Sequence, residues 1–180
     1  MFDNCKQLET FDANMNSLIS GDSMFMNLHK LKYFKSYSNS LKSGVEMFYG
    51  CIAFDVNNIS FPSLENGTGM FINSGISMLT NCSLDSLNIG VSMFENCTNL
   101  SEWNTPTQNL TNGTGMFRNC SKLISCYGDL SSLSTGTEMF YGCIALVTVE
   151  NPLPKLKDGT SMFCCCPNLE KINDELDNTL

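Results

Sequence analysis

The sequence predicts a repeat solenoid, in which one short unit recurs along the chain and packs only on its neighbours. Three observations lead to this prediction. The dipeptide Met-Phe occurs eight times at intervals of 23 residues, from Met1 to Met162. A glycine stands three residues before each later copy of the dipeptide, from Gly21 to Gly159. Six copies carry cysteine at their fifth position: Cys5, Cys51, Cys97, Cys120, Cys143 and Cys166.

The register of the repeats is unbroken along all 180 residues. A chain of this length with no insertion between copies indicates a single solenoid domain, residues 1–180. Its eight repeats are 1–23, 24–46, 47–69, 70–92, 93–115, 116–138, 139–161 and the partial copy 162–180.

One repeat is too small to enclose a core, so its apolar side chains must stack on those of the next copy. In the first repeat these side chains are Met1, Phe2, Cys5, Leu8, Phe11 and Leu18. The spacing Cys-x-x-Leu-x-x-apolar, as in Cys97, Leu100 and Trp103, resembles the start of a leucine-rich repeat. This resemblance implies a short strand of about three to five residues on one face, followed by turns. We expect the recurrent glycine to supply a turn with positive φ and Met-Phe to close the far side.

One strand per repeat predicts a parallel sheet about 38 Å long, with strands about 4.8 Å apart. Repeat position 11 faces the core, so positions 10 and 12 should face solvent and form the binding surface. The candidate binding residues on this open strand face are Tyr33, Lys35, Val56, Asn58, Leu79, Asn81, Glu102, Asn104, Tyr127 and Glu150.

The pattern Met-Phe-x-x-Cys-x-x-Leu, preceded by Leu-x-x-Gly, resembles the BspA-like leucine-rich repeats of bacterial and protozoan surface proteins. The resemblance covers the whole chain. It implies a leucine-rich-repeat-like solenoid, with a short parallel sheet on one face and turns, irregular segments or short helices on the other. It also implies a secreted or surface-displayed adhesin or host-interaction protein, and it carries over no catalytic residue.

The fourth repeat departs from this pattern because it has neither cysteine at position 5 nor leucine at position 8. We therefore expect local repacking around Ile76, Met78 and Leu79.

Charge and hydropathy exclude two classes of partner. The net charge of −8, with only ten Lys and Arg, leaves no basic stripe for phosphates, so nucleic acid is excluded. No apolar run approaches the roughly 18 residues of a membrane-spanning helix, so we expect no direct membrane insertion. No charged-then-apolar leader precedes Met1, so we expect no signal peptide in this sequence.

The ten cysteines include no Cys-x-x-Cys pair, and six of them recur once per repeat. This regularity predicts a column of free buried thiols rather than disulfides. Cys164 and Cys165 lie in the last repeat, where either a reactive thiol or a crosslink remains open. A metal site is the less favoured interpretation, because His29 is the sole histidine and lies in repeat 2.

No constellation of catalytic residues is present, so we expect neither an enzyme nor a cofactor. The favoured function is a cell-surface or extracellular interaction module that binds a protein or glycan through the open strand face. The N-terminal repeat is as apolar as an interior one, so Phe2, Leu8 and Phe11 are predicted to dock on a partner or on another copy. The alternative function is therefore a structural component of a virion or surface layer that docks through this end.

Overall fold

The computed structural model describes residues 1–2, 5–36, 38–55, 59–79 and 82–172. Every backbone pairing between strands joins residues 23 positions apart, as in Thr10 with Tyr33 and Glu102 with Ser125. Each repeat is therefore one turn of a solenoid, and the predicted repeat fold is confirmed.

The strands are two or three residues long and all pair in parallel. They are β1 (Thr10–Asp12), β2 (Tyr33–Lys35), β3 (Glu102–Trp103), β4 (Ser125–Cys126), β5 (Thr148–Val149) and β6 (Lys171–Ile172). They form a two-stranded sheet, β1-β2, and a four-stranded sheet, β3-β4-β5-β6. Between the two sheets, the corresponding strand positions 56–58 and 80–81 lie outside the described residues, so one continuous sheet stays a prediction there.

Turns rather than helices connect these strands. Successive i to i+3 hydrogen bonds, such as Leu28 N to Phe25 O and Leu31 N to Leu28 O, close the turns that follow each Met-Phe pair. Within the described ranges there is no α-helix, and hence no helix that could cross a membrane.

A second column of backbone pairing runs through position 20 of the repeats. Parallel bridges join Ser20 to Ser43 and continue, without a gap, to Asp158. Around this column every second N–H donates to the next repeat, as in Gly44 N to Asn66 O at 3.0 Å and Phe48 N to Met70 O at 2.8 Å. We call positions 20–23 of one repeat and positions 1–4 of the next the ladder side.

The recurrent glycine does not adopt positive φ, so that prediction was wrong. The left-handed backbone lies instead at the last position of each repeat and at position 4. The former comprises Ser23, Glu46, Gly69, Ser92, Gly115, Glu138 and Ser161, with φ of 51–61°. The latter comprises Asn27, Gly50, Asn73, Asn96, Asn119, Gly142 and Cys165, with φ of 56–72°.

The glycine is required because the methionine 26 residues later, two repeats further along the chain, packs directly against it. A Cβ atom at Gly67 would lie 2.9 Å from Met93 Sδ and 3.3 Å from Leu87 Cδ1. A Cβ atom added to Gly21 would likewise lie 2.9 Å from Met47 Sδ. Close approach, rather than backbone freedom, explains why this position is always glycine.

The phenylalanines of the Met-Phe pairs form one continuous stack along the solenoid. Rings in successive repeats, from Phe2 to Phe163, lie 5.1–5.7 Å apart with interplanar angles of 1–14°. The methionines beside them are buried from Met24 to Met162. The predicted column of phenylalanines is therefore present in every repeat, but the prediction was wrong for Met1, which is 89% exposed.

A column of free thiols runs parallel to the rings. Cys51, Cys97, Cys120 and Cys143 are fully buried, and each thiol donates to the carbonyl of the phenylalanine 26 residues earlier at 3.0–3.1 Å. Burial raises the pKa of Cys97 to about 12. The prediction was wrong for the two end members, because Cys5 is exposed and Cys166 is half-buried.

The fourth repeat repacks as predicted around two of the three residues that we named. Ile76 and Leu79 are buried, whereas Met78 is exposed. Ser74 replaces the cysteine, and its Oγ lies 3.4 Å from Cys97 Sγ, so a hydroxyl continues the thiol column.

Candidate interaction surface

The strands alternate between core and solvent as expected for a sheet with one buried face. In β2, Tyr33 and Lys35 are exposed on either side of buried Phe34. In β3, Glu102 is exposed and Trp103 is buried. Positions 10 and 12 therefore face outward in these repeats.

Six of the ten predicted binding residues lie on the exposed strand face. The two tyrosines have the largest side chains of these six residues. Tyr33 is 57% exposed and Tyr127 is 49% exposed. The full set is Tyr33, Lys35, Glu102, Asn104, Tyr127 and Glu150.

Leu79 was predicted on this face, and that prediction was wrong because the side chain is only 3% exposed. Repeat 4 has Ser77 where other repeats place a buried leucine, and Leu79 fills the core in its place. Ser125 of β4 is also buried rather than open. Three further predicted residues, Val56, Asn58 and Asn81, lie outside the described residues.

The sequence reasoning missed exposed apolar side chains at position 9, next to the strands. Ile124 is 50% exposed, and Val147 of the next repeat is half-buried beside it in the stack. Ile124 O accepts hydrogen bonds from Val147 N and Thr148 N, at 2.9 and 3.3 Å, which fixes this edge of the sheet. An available signal was the change at position 9 from charged Glu9 and Lys32 to aliphatic residues.

Five side chains lie at or beside β3, β4 and β5, and we call them the Tyr127 patch. They are Ile124, Val147, Tyr127, Glu102 and Glu150. Glu150 accepts a hydrogen bond from Lys171 Nζ at 3.2 Å, with both side chains open to solvent. Such an exposed ion pair contributes little to stability. The patch thus combines an aromatic ring, two aliphatic side chains and two carboxylates on a paired backbone.

The predicted docking residues of the first repeat are half-buried. Phe2, Leu8 and Phe11 are packed against the core, but none is covered as fully as its counterpart in repeat 2. A hollow of about 720 Å³ opens at this end, lined in part by Phe2, Phe11, Met15 and Leu18. The first repeat therefore presents an apolar surface to its outer side.

The described residues hold no group of three His, Cys, Asp or Glu side chains that could ligate a metal ion. His29 is exposed. Several buried thiols have strongly raised pKa values, which burial causes, and Cys126 reaches about 12. A thiol with such a pKa remains protonated at neutral pH and is a poor nucleophile.

A solenoid with one short parallel strand per repeat and an open strand face belongs to the leucine-rich-repeat class. More specifically, residues 1–88 and 70–179 match the family model of the BspA type leucine rich repeat region, in six copies, and the chain belongs to this family. The family is typically surface-associated and non-enzymatic, and leucine-rich-repeat modules generally bind proteins.

Two solved structures are similar to the chain. A leucine-rich repeat protein from Eubacterium ventriosum is 18% identical, with a TM-score of 0.49 over 95% of this chain and 61% of its own. A leucine-rich repeat protein from Bacteroides ovatus is 19% identical, with a TM-score of 0.39 over 91% of this chain and 60% of its own. The chain thus spans about three-fifths of each. No curated protein matches it significantly.

Proposed function

We propose that this chain is an interaction module displayed at a cell surface, which binds a protein or glycan partner through its strand face. The observation that carries the proposal is the Tyr127 patch, where half-exposed Tyr127 and Ile124 lie beside β4. Tyrosine is enriched in interfaces because its ring offers a large apolar area and its hydroxyl a hydrogen bond.

The backbone beneath the patch supports this function. β4 pairs with β3 on one side and β5 on the other, and Trp103 and Cys126 are buried below it. A patch held in this way loses little conformational entropy when a partner binds, so more of the contact energy appears as affinity.

The test compares the patch with an equally apolar side chain elsewhere. Tyr127→Ala, alone and with Ile124→Ser, should reduce binding of the purified chain to a glycan array or to immobilised extracellular-matrix proteins by at least about tenfold. Ile52→Ser is the matched control, because Ile52 is 62% exposed but precedes the strand region. Equal binding by the patch variants and wild type would contradict the proposal.

The first repeat favours a second candidate function, assembly through its end. The hollow beside Phe2 and Phe11 is lined mainly by apolar side chains, which supports coverage by another copy of the chain in a larger assembly. Light scattering separates this function from the first. Self-assembly predicts concentration-dependent rods that Phe11→Glu abolishes, and a monodisperse monomer at high concentration would refute it.

A further inference from the structure

The last described repeat contains three consecutive cysteines that differ in their surroundings. Cys166 occupies the regular thiol position, where it donates to Phe140 O at 3.0 Å. Cys164 and Cys165 are exposed, and their Sγ atoms lie 3.5 Å apart. Two adjacent thiols therefore face each other at the surface.

The backbone of the pair is fixed by the ladder side. Cys164 O accepts a hydrogen bond from Gly142 N at 2.9 Å, and Cys164 N donates to Ser161 O at 3.1 Å. Cys165 has a φ of 63°, in the left-handed region where every earlier described repeat has asparagine or glycine. The thiol pair is thus built on a peptide segment whose conformation the neighbouring repeat dictates.

The two sulfurs also interact with their neighbours. The hydrogen bond between the thiols raises the pKa of Cys164. The interaction with Cys165 raises the pKa of the Tyr141 hydroxyl. The guanidinium of Arg118 lies 5.2 Å from the centre of the Tyr141 ring and is paired with Glu138 at 2.9 Å.

The separation of the sulfurs favours a bridging atom over a direct bond. A disulfide needs an S–S distance of about 2.05 Å, so the sulfurs would have to approach by about 1.5 Å while the Cys164 carbonyl stays held. Two thiolate bonds of about 2.3 Å to one tetrahedral centre place the sulfurs about 3.8 Å apart, close to the observed spacing.

We propose that Cys164 and Cys165 form a chelating dithiol that binds a soft, thiol-seeking ion or metalloid through both sulfurs. Soft thiolates select such centres over hard oxygen-preferring cations. The described residues provide no third ligand of the usual kinds, so the remaining coordination positions stay open to solvent or to a group from a partner. This site lies in the last described repeat, at Cys164 and Cys165, and is independent of the Tyr127 patch.

A monosubstituted trivalent arsenical is the appropriate probe because it takes two thiolates. In the reaction, two arsenic–sulfur bonds form and the arsenic–oxygen double bond breaks. The oxygen leaves as water with both thiol protons. Arsenic and sulfur keep their oxidation states, so no oxidant or reductant is needed.

The experiment treats the folded chain with equimolar phenylarsine oxide in excess monothiol and measures the adduct by native mass spectrometry. Wild type should form a 1:1 adduct that maps to Cys164 and Cys165. Cys164→Ser and Cys165→Ser should each reduce the adduct at least about tenfold, because the second sulfur no longer binds at high effective concentration.

Cys5→Ser is the matched control, since it removes an exposed thiol from the first repeat, and it should leave the adduct unchanged. The proposal is overturned if the folded wild type forms no adduct, or if either serine variant keeps the wild-type yield. Circular dichroism of each variant shows that the chain is folded, which excludes labelling of the buried thiols.

Discussion

The ladder side and the strand face of the same solenoid differ in how strictly they repeat. On the ladder side, the bridges run from Ser20 to Asp158 through the first seven repeats. On the strand face, position 10 is exposed at Tyr33 and Glu102 but buried at Leu79 and Ser125.

The difference follows from what each side chain contacts. A ladder-side glycine such as Gly67 lies against a leucine of the following repeat and the methionine 26 residues later, so any larger residue meets a packed atom. An outward side chain on the strand face lies in solvent and meets no such barrier. The invariant side holds the solenoid together, and the variable side is free to acquire a binding function.

The largest effect that we expect is alkaline destabilisation through the buried thiols. In the unfolded chain they ionise near pH 9, whereas burial raises the pKa of Cys51, Cys97 and Cys126 to about 12. The free energy of unfolding therefore has its full value below pH 9. As the pH rises from 9 towards 12, each of these thiols lowers it by about 1.4 kcal/mol per pH unit. Urea midpoints at pH 8, 9 and 10 measure it.

A matched pair of variants assigns this loss to the core. Cys97→Ala should reduce the slope above pH 9, whereas Cys5→Ser should leave it unchanged because that thiol is exposed. A urea midpoint that stays constant from pH 9 to 10 would show that the buried thiols do not control stability.

The next largest effect should come from breaking the ring stack. Phe94 lies 5.3 Å from Phe71 and 5.7 Å from Phe117, and it is fully buried. Phe94→Ala should cost about 3–5 kcal/mol in the free energy of unfolding. Phe163→Ala, at the half-buried end of the described stack, should cost clearly less in the same denaturant titration. An equal loss of unfolding free energy in Phe94→Ala and Phe163→Ala would mean that the stacked rings do not stabilise the fold as one column.

A methyl group added on the ladder side should have an intermediate effect. Gly67→Ala places Cβ 2.9 Å from Met93 Sδ and should destabilise by about 1–3 kcal/mol. Gly159→Ala is the control, because a Cβ there would lie 3.9 Å from the nearest methionine sulfur, that of Met162 three residues on, and its tightest contact is with the exposed turn's own Leu156 Cδ2 at 3.1 Å. Thermal unfolding compares the two, and a larger loss at Gly159 would refute the packing argument.

The smallest effect on stability should come from the strand face. Tyr127→Ala removes a side chain that is half in solvent, so the free energy of unfolding should change by no more than about 0.5 kcal/mol. Urea denaturation measures this change. A loss of several kcal/mol would show that Tyr127 supports the fold, and the contrast between the two sides would fail.

Much of the core could be predicted because periodicity identifies side chains that stack on their own copies. Phe25, Phe48 and the later rings were placed correctly on this basis, as was buried Cys120. The position of the recurrent glycine was also predicted, but the reason for it was not. The close contact between Gly67 and Met93 cannot be inferred from the sequence of one repeat. Asparagine and glycine at position 4, as in Asn27 and Gly50, were an available signal of left-handed backbone.

The strand face was less predictable because the register was assumed to hold in every repeat. Ser77 leaves space in the core, and Leu79 occupies it at the expense of the surface. Exposed Ile124 was missed because only positions 10 and 12 were taken as the outward face, although the change to aliphatic residues at position 9 was an available signal.

The sequence by itself determined the repeat length, the identity of the stacked side chains and the net charge of −8, since each depends on composition or spacing along one chain. Only the tertiary structure decided that Leu79 points inward, that Ile124 is half exposed, and that the sulfurs of Cys164 and Cys165 face each other. The physical reason is that exposure and orientation depend on the neighbouring repeat, whose packing determines which side chains have room in the core.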